Sequence, residues 1–365
     1  MSVRRSALWR AAVIAAAVLA AVNLLAGISG GLARLGLPLP AAPLALHGAV
    51  MACAFFGSVI ALERAVALQR LPGLLVPLAA GAGGVFAWCL QSPIAAQAAW
   101  TLAAAGLVAL YIYAGRSRAW SLHLKVEMSG ALCWLAGTLV WAAGDLAAGV
   151  CGWVAFLVLT IAGERRELMQ MIRLPAAART LFVLVVAALL AAVALRPWNA
   201  VAAAPLFWLA CALLALWLLR WDFAPRKWSA AGWPGHTAQC LTLGYVWLLV
   251  GALLGLYGSV SPGALAATGL HAVLLGFVFA MVFGHAPVIL PALLHLRPVY
   301  SGWARAPLWL LAASLVLRIV AGATGEGGWL ALAGAGHALA IAGFAVVMAS
   351  AILRGRPLSP TGAAR

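Results

Sequence analysis

The chain has 365 residues, of which 66% are hydrophobic and only 8% are charged. Apolar runs approaching 20 residues recur along it, which is typical of helices that cross a lipid bilayer and excludes an ordinary soluble domain. A formal net charge of +16 would suggest nucleic acid in a soluble protein, but here the basic residues gather at alternate ends of the apolar runs. The sequence therefore predicts a polytopic membrane protein that contacts lipid and no nucleic acid.

Twelve transmembrane helices are predicted from the apolar runs. In chain order they span roughly residues 8–28, 43–68, 71–90, 95–114, 122–143, 149–171, 179–195, 198–219, 236–258, 264–290, 303–323 and 328–353. Because one set of helix ends carries most of the arginines and lysines, we place those ends in the cytoplasm. This predicts a multi-pass protein of the cytoplasmic (inner) membrane with both termini cytoplasmic. No loop is long enough for a soluble domain, so residues 1–365 are expected to form a single transmembrane domain.

Internal repetition groups the predicted helices. VIALERAVALQRLP at 59–72 recurs loosely as TIAGERRELMQMIRLP at 160–175, and LHGAVMACAFFG from Leu46 recurs as LHAVLLGFVFAMVFG from Leu270. Helices 2, 6 and 10 then occupy equivalent places. We predict an all-α fold of three pseudo-repeated four-helix units, at roughly residues 8–116, 122–221 and 236–354, with helices 2, 6 and 10 lining the centre.

Three histidines fall in the outer half of this arrangement. His47 and His271 have the same position in the first and third repeats, and two imidazoles that face each other across a bundle can ligate haem. We predict that they do so, with a structural histidine pair as the alternative. The six cysteines show no CxxCH spacing, so the haem would be b-type. His337 is a further cofactor-binding candidate, or is simply hydrogen-bonded to a neighbouring helix.

A second polar group lies at the inner ends of helices 2, 6 and 10, and we call it the inner polar cluster. Its predicted members are Glu63, Arg64, Glu164, Arg165, Arg166 and Glu167, and His285 of the third repeat is expected to lie close to them. Ion pairs between helix ends are one interpretation. The alternative is a cytoplasmic proton entry, or a second metal site that uses Glu63, Glu164 and His285.

The other three histidines, His123, His236 and His295, fall at inner helix ends. We expect them to be solvated residues at the membrane interface. The segment HLKVE places His123 and Glu127 four residues apart on one helix face, a spacing that metals can use, although such short patterns recur by chance.

Arg318 is the one cation that lies well inside an apolar run, in the same outer layer as the three outer histidines. A lone guanidinium there costs at least about 2.5–3.5 kcal/mol on insertion scales. Its side chain either reaches the outer surface, pairs with Glu326, or pairs with a haem propionate in bidentate geometry.

The segment LHGAVMACAFFGSVIA resembles helix 2 of the NnrS family, haem- and copper-containing twelve-helix membrane proteins linked to nitric oxide stress. The family's H-x-H-E-M pattern and its later V-I pair are matched at His47, Met51, Val59 and Ile60. Ala49 stands in place of the second histidine. The family's tenth helix is matched at His271, Gly276 and Met281.

LGYVWLLVGALLGL from Leu243 resembles the ninth helix of the family, where Thr242 and Leu243 stand in place of a histidine. The resemblance implies haem as a cofactor, copper as a further one, and a small gaseous ligand such as nitric oxide. The candidate metal ligands are His47 and His271, which the resemblance supports, and His285, which we expect to lie near the inner polar cluster. The layout is also similar to the catalytic subunit of haem-copper oxidases. The histidines that would hold an oxidase copper on helices 6 and 7 are missing, which argues against dioxygen reduction.

Two function classes follow from these patterns. The first is a haem protein of the cytoplasmic membrane that binds or responds to nitric oxide or carries electrons. The second is a secondary transporter that uses intramembrane Glu, Arg and His residues for coupling. Transporter repeats usually number two and are often inverted, whereas the repeats predicted here are three and parallel, which favours the haem protein. Whether the protein is an enzyme does not follow from the sequence.

Overall fold

The computed structural model describes residues 7–39, 46–261, 263–294 and 296–357, which form twelve long helices joined by short loops. Numbered α1 to α12 in chain order, they are α1 Ala7–Ala33, α2 His47–Leu68, α3 Leu71–Trp88, α4 Pro93–Arg118, α5 Leu122–Ala142, α6 Leu146–Leu168, α7 Ala176–Leu195, α8 Ala200–Trp221, α9 Gly232–Val260, α10 from Ala264 to Leu294, α11 Gly302–Thr324 and α12 Gly327–Leu353. Two strands of two residues, β1 Leu296–Arg297 and β2 Arg356–Pro357, pair in antiparallel fashion.

The predicted all-α membrane fold is confirmed. Within the described residues, eleven of the helices are long and apolar enough to cross a membrane. The remaining one is α5, a 21-residue helix whose first turns carry Lys125 and Glu127. Helix ends differ from the predicted ones by a turn or less in most places, and α9 begins at Gly232, four residues before its predicted start.

Two helices adopt π-helical geometry beside a histidine predicted to bind haem. In α2 the π-helical segment is Val50–Phe56, which begins three residues after His47. In α10 it is Ala272–Phe279, directly after His271. π-Helical turns are rare and often lie at functional sites. The shared distortion agrees with an equivalence of α2 and α10, while the arrangement in three repeats stays a prediction.

The chain divides into two compact units. The first is Met1–Arg173 with Val186–Phe207, and the second is Leu174–Val185 with Trp208–Arg365. The first unit thus contains α1 to α6, the second contains α9 to α12, and the division passes through α7 and α8. The expectation of one transmembrane domain stays a prediction.

In the first unit, helices approach each other through glycines. A Cβ atom on Gly152 of α6 would be 2.7 Å from the Cys133 carbonyl oxygen and 2.8 Å from the Cα of Gly137, both on α5. A Cβ atom on Gly31 of α1 would be 2.8 Å from Cε1 of His47 on α2. Helices in lipid associate largely through van der Waals packing, which small residues permit at close range. These glycines therefore set the spacing of α1 from α2 and of α5 from α6.

The second unit uses the same kind of contact. A Cβ atom on Gly251 of α9 would be 2.8 Å from the Gly269 carbonyl oxygen on α10. A Cβ atom on Gly336 of α12 would be 2.8 Å from the Cβ of Ser314 on α11. Ser314, at this close contact, forms a hydrogen bond with the buried His337.

Asn23 of α1 shows how the first unit satisfies a buried polar side chain. Its Nδ2 donates to the carbonyl oxygens of Leu19, at 2.8 Å, and Gly81, at 2.9 Å. Its Oδ1 accepts from Nε1 of Trp88 at 3.1 Å. A buried polar atom left without a partner costs about 1–3 kcal/mol. The network therefore fixes α1 against α3 at one rotation.

We expect Gly152→Ala to lower the free energy of unfolding by about 1–3 kcal/mol, because the added methyl group would overlap backbone atoms of α5. The matched control is Gly343→Ala in α12, where a Cβ atom would have its nearest neighbour 3.8 Å away. That change should be neutral or slightly stabilising, since alanine favours a helix more than glycine does. Unfolding of both variants in detergent measures the difference, and equal midpoints would contradict the proposed contact.

Candidate functional site

The inner polar cluster is built in the first unit around Arg64 of α2. Nη2 of Arg64 donates to Oε2 of Glu127 on α5, and the two groups form an ion pair. The Glu127 side chain is fully buried, whereas that of Arg64 is 18% exposed. The guanidinium carbon also lies 5.0 Å from the ring centroid of Tyr111 on α4, a cation–π distance. Gly163 of α6 makes room for this group, because a Cβ atom there would overlap Cγ of Glu127.

Two more carboxyl groups belong to the cluster. Glu63 on α2 and Glu164 on α6 are half-buried, and both interact electrostatically with Arg64. Glu164 also interacts with Glu63 and Glu127. Carboxylates that are kept away from water are costly unless cations or protons offset their charge. Arg64 supplies such a cation, and the buried Arg165 follows Glu164 in α6.

Glu167 and His123 lie at the rim of the cluster. Glu167 is exposed and interacts electrostatically with Glu63, Glu127 and Glu164. His123 is half-buried, and its Nε2 lies 2.9 Å from Oγ of Ser121 and 4.0 Å from Oε1 of Glu167. The rim therefore connects the buried carboxyl groups to the outside of the protein.

Metal coordination was one hypothesis for several of these residues. In the part of the chain that the structure describes, no three His, Cys, Asp or Glu side chains are grouped so that they could hold a metal ion. The structure thus offers no geometric support for a metal site at His123 and Glu127. Copper stays a prediction from the family resemblance.

The structure brings together Glu63, Arg64, Glu164 and Glu167, which the sequence placed at the inner ends of helices 2 and 6. Arg165 follows Glu164 in α6 and is only 1% exposed. His285 belongs to the second unit, on α10, where its Nδ1 lies 2.9 Å from the Met281 carbonyl oxygen.

Sequence reasoning did not recognise Glu127 and Tyr111 as members of the cluster. The sequence contained one indication of Glu127: its helix, α5, is less apolar than the other eleven. A carboxylate in such a helix needs a partner on a neighbouring helix.

The outer polar group of the second unit consists of His337, Ser314 and Arg318. Ser314 Oγ donates to the Leu311 carbonyl oxygen at 2.9 Å, so it accepts from Nδ1–H of His337 at 2.7 Å. Nε2 of His337 therefore carries the lone pair of the neutral ring. That atom is buried and has no hydrogen-bond partner among the described residues.

Arg318 of α11 lies beside His337, with which it interacts electrostatically. Arg318 is only 7% exposed, which argues against a side chain that reaches the outer surface. Its Nε has no hydrogen-bond partner, and no carboxylate, Glu326 included, lies within 4.0 Å of its guanidinium in the described part of the chain. The outer polar group thus combines a buried cation with a buried lone pair.

The two histidines predicted to ligate haem use the same ring atom, Nδ1, for a hydrogen bond to a backbone carbonyl oxygen. Nδ1 of His47 lies 2.7 Å from the Gly27 carbonyl oxygen on α1. Nδ1 of His271 lies 2.8 Å from the Ala267 carbonyl oxygen, one turn earlier in α10. Because a carbonyl oxygen only accepts, each Nδ1 carries the hydrogen, and Nε2 carries the lone pair of each neutral ring.

His236 was expected to be solvated, and that prediction was wrong. The residue is fully buried, its Nε2 donates to the Phe283 carbonyl oxygen at 3.1 Å, and its ring stacks on Phe344 with 6.3 Å between centroids. The reason is that α9 begins a turn earlier than expected, at Gly232, which carries His236 into the helix packing. His295 lies outside the described residues.

Asp222, which follows α8, was not singled out from the sequence. It is 1% exposed, and its carboxylate accepts from the Tyr245 hydroxyl and from the Ala224 backbone amide, both at 2.8 Å. Both carboxylate oxygens therefore have donors, which identifies Asp222 as a structural anchor for the start of the second unit's inner loop.

The fold and these buried groups define a polytopic α-helical membrane protein whose helices enclose ionisable side chains. The chain belongs to the family described as Domain of unknown function (DUF8744), whose model matches residues 10–353. No curated protein and no solved structure matches the chain.

We expect Arg64→Leu to lower the free energy of unfolding at neutral pH by about 3–5 kcal/mol, because three carboxyl groups would lose their buried cation. The loss should shrink as the pH falls, since protonation neutralises the carboxylates that Arg64 had balanced. Arg70→Leu is the control, because Arg70 is exposed, lies over the exposed Tyr113 ring and donates to the Tyr113 hydroxyl. Chemical unfolding at two pH values compares them. A loss for Arg64→Leu no larger than that for Arg70→Leu would contradict the cluster.

Proposed function

We propose that this protein is a haem-binding protein of the cytoplasmic membrane, with His47 of the first unit and His271 of the second unit as ligands of b-type haem. The observation that carries this proposal is the shared hydrogen bond from Nδ1 of each ring to a backbone carbonyl oxygen, at 2.7 Å for His47 and 2.8 Å for His271. Histidines that ligate metals almost always donate their second N–H in this way, which fixes the tautomer and orients the ring. In each histidine, Nε2 is therefore the ring atom that would bind the iron.

The local backbone supports the same assignment. Each of the two histidines is followed by a π-helical segment, Val50–Phe56 or Ala272–Phe279. Such segments frequently accompany functional sites because they shift the side chains that follow. The resemblance of these two segments to the NnrS family adds support from sequence, and we propose a distant relationship to that family.

Arg318 and His337 would serve the haem through charge. Arg318 is a buried cation with no carboxylate partner among the described residues. A haem propionate would neutralise that charge, and an arginine binds a carboxylate through two parallel hydrogen bonds. The bond from His337 to Ser314 holds the imidazole beside the guanidinium. The haem supplies the redox chemistry, while these residues bind it, orient it and set its electrostatic surroundings.

The role that the haem can have depends on how many imidazole ligands its iron carries. Haem iron that carries two imidazole ligands has no open coordination position and suits electron transfer, whereas binding of nitric oxide needs an open position. The two roles are therefore distinguished by adding nitric oxide to the reduced protein and following its optical spectrum.

Proton-coupled secondary transport is the second candidate function. The inner polar cluster favours it, because carboxyl groups buried inside membrane helices commonly mark proton or ion pathways. Proton uptake into liposomes under a pH gradient, present in the wild type and lost in Glu164→Gln, would support transport. This result would not require haem.

We expect the purified protein from haem-replete cells to show the Soret band of a b-type haem. His47→Ala and His271→Ala should each abolish or greatly alter that spectrum, because each removes one axial ligand. His123→Ala is the control, since His123 lies at the rim of the inner polar cluster. A colourless wild-type preparation, or equal spectra for the three variants, would overturn the assignment.

We expect Arg318→Leu to reduce haem retention and to lower the reduction potential of the haem that remains, because a nearby cation favours the reduced iron. Arg354→Leu is a matched control on an exposed arginine of the same unit. A redox titration followed optically gives both quantities. Unchanged haem content and potential in Arg318→Leu would exclude a propionate contact.

A further inference from the structure

A groove with a volume of about 370 Å³ lies between α3 and α4 of the first unit. Its walls are mostly apolar and include Val76 of α3 and Ala109 and Leu110 of α4. Gly106 of α4 also lines it, and a Cβ atom there would be 2.8 Å from Cγ2 of Val76. Because Gly106 has no side chain, the two helices approach closely at the floor of the groove.

Arg70 and Tyr113 form the polar end of this groove. Helix α2 ends at Leu68, and Gln69 has a left-handed backbone with a φ of 54°, so that Arg70 lies in the turn before α3. Nε of Arg70 donates to the Tyr113 hydroxyl at 2.9 Å, and its guanidinium carbon lies 4.8 Å from the Tyr113 ring centroid. These contacts hold an exposed cation at the end of an apolar groove.

Two further arginines lie at the same end of the helices. Arg118, in the last turn of α4, donates through Nη2 to the Ala67 carbonyl oxygen of α2 at 3.3 Å, three residues before Arg70. Arg116, in the same turn of α4, is exposed. Among the residues with a described structure, no carboxylate lies within 4.0 Å of any of these three guanidinium groups. This end of the groove therefore favours an anionic group.

The shape and the charge of the groove together fit a phospholipid. Seven residues separate Gly106 from Tyr113, so the groove extends about 10 Å along α4 from its polar end. An acyl chain can occupy the apolar part while a phosphate lies beside the arginines. On the predicted orientation, this end faces the cytoplasmic leaflet, and basic pockets between transmembrane helices on that side bind anionic headgroups.

We propose that this groove binds one anionic phospholipid of the bilayer. One acyl chain packs against Val76, Ala109 and Leu110, and the phosphate lies at Arg70 and Tyr113. The Tyr113 hydroxyl accepts from Arg70, so its own hydrogen can be donated to a phosphate oxygen, as can the Nη1 hydrogens of Arg70. The site lies within the first unit and does not rest on the haem proposal.

Native mass spectrometry of the full-length, delipidated protein in detergent tests this site with phosphatidylglycerol and phosphatidylcholine as probes. An arginine near an anionic headgroup contributes about 1 kcal/mol, which corresponds to roughly a fivefold change in affinity. We expect the wild type to bind one phosphatidylglycerol at least about fivefold more tightly than phosphatidylcholine. Arg70→Gln should weaken phosphatidylglycerol binding by about the same factor, and Ala109→Trp should weaken binding of both lipids because the indole ring fills the groove.

Each variant has a matched control. Arg354→Gln removes an exposed arginine at the end of α12 that bonds the Ser350 carbonyl oxygen, and Ala98→Trp adds an indole ring at an exposed position in the outer half of α4. Both controls should bind phosphatidylglycerol as the wild type does. Equal affinities of the wild type for the two lipids would overturn the proposal, as would wild-type affinity in both Arg70→Gln and Ala109→Trp. Displacement of the lipid by an equal concentration of soluble glycerol phosphate would overturn it too, because the acyl chain would then add nothing.

Discussion

The apolar interior of a bilayer offers no hydrogen-bond partners, so each polar atom on these helices must be satisfied within the protein. Helical backbone geometry meets that demand for the main chain. Asn23 and Asp222 meet it for their side chains through bonds at 2.8–3.1 Å. Other buried polar atoms have no hydrogen-bond partner among the described residues, and these atoms are candidates for contact with a ligand.

Two of the buried polar groups differ in their electrostatic character. In the first unit, Arg64 forms an ion pair with the fully buried Glu127. In the second unit, Arg318 is a buried cation without a carboxylate partner among the described residues. Glycines on neighbouring helices make both arrangements compact, because Gly163 accommodates Glu127 and Gly336 accommodates Ser314.

The sequence predicted the twelve helices well, because lipid imposes a nearly continuous apolar run on each of them. It predicted less of the sites, since the partner of a charged side chain depends on helix rotation and on close packing that a pattern does not contain. Glu127 was visible only as part of a short HLKVE match, and its contact with Arg64 joins residues 63 positions apart. His236 was misjudged because its burial depends on the exact start of α9. No sequence pattern indicated the π-helical segments beside His47 and His271.

The central claim of this account is the proposal that His47 and His271, which are both half-buried, are haem ligands. Electron paramagnetic resonance of the oxidised, purified protein tests it most directly, because ferric haem with two imidazole ligands is low-spin. The account predicts a low-spin ferric signal from the wild type, replaced in His271→Ala by a high-spin signal or by none. A haem-free protein, or a high-spin haem in the wild type that does not change in His47→Ala and His271→Ala, would contradict it.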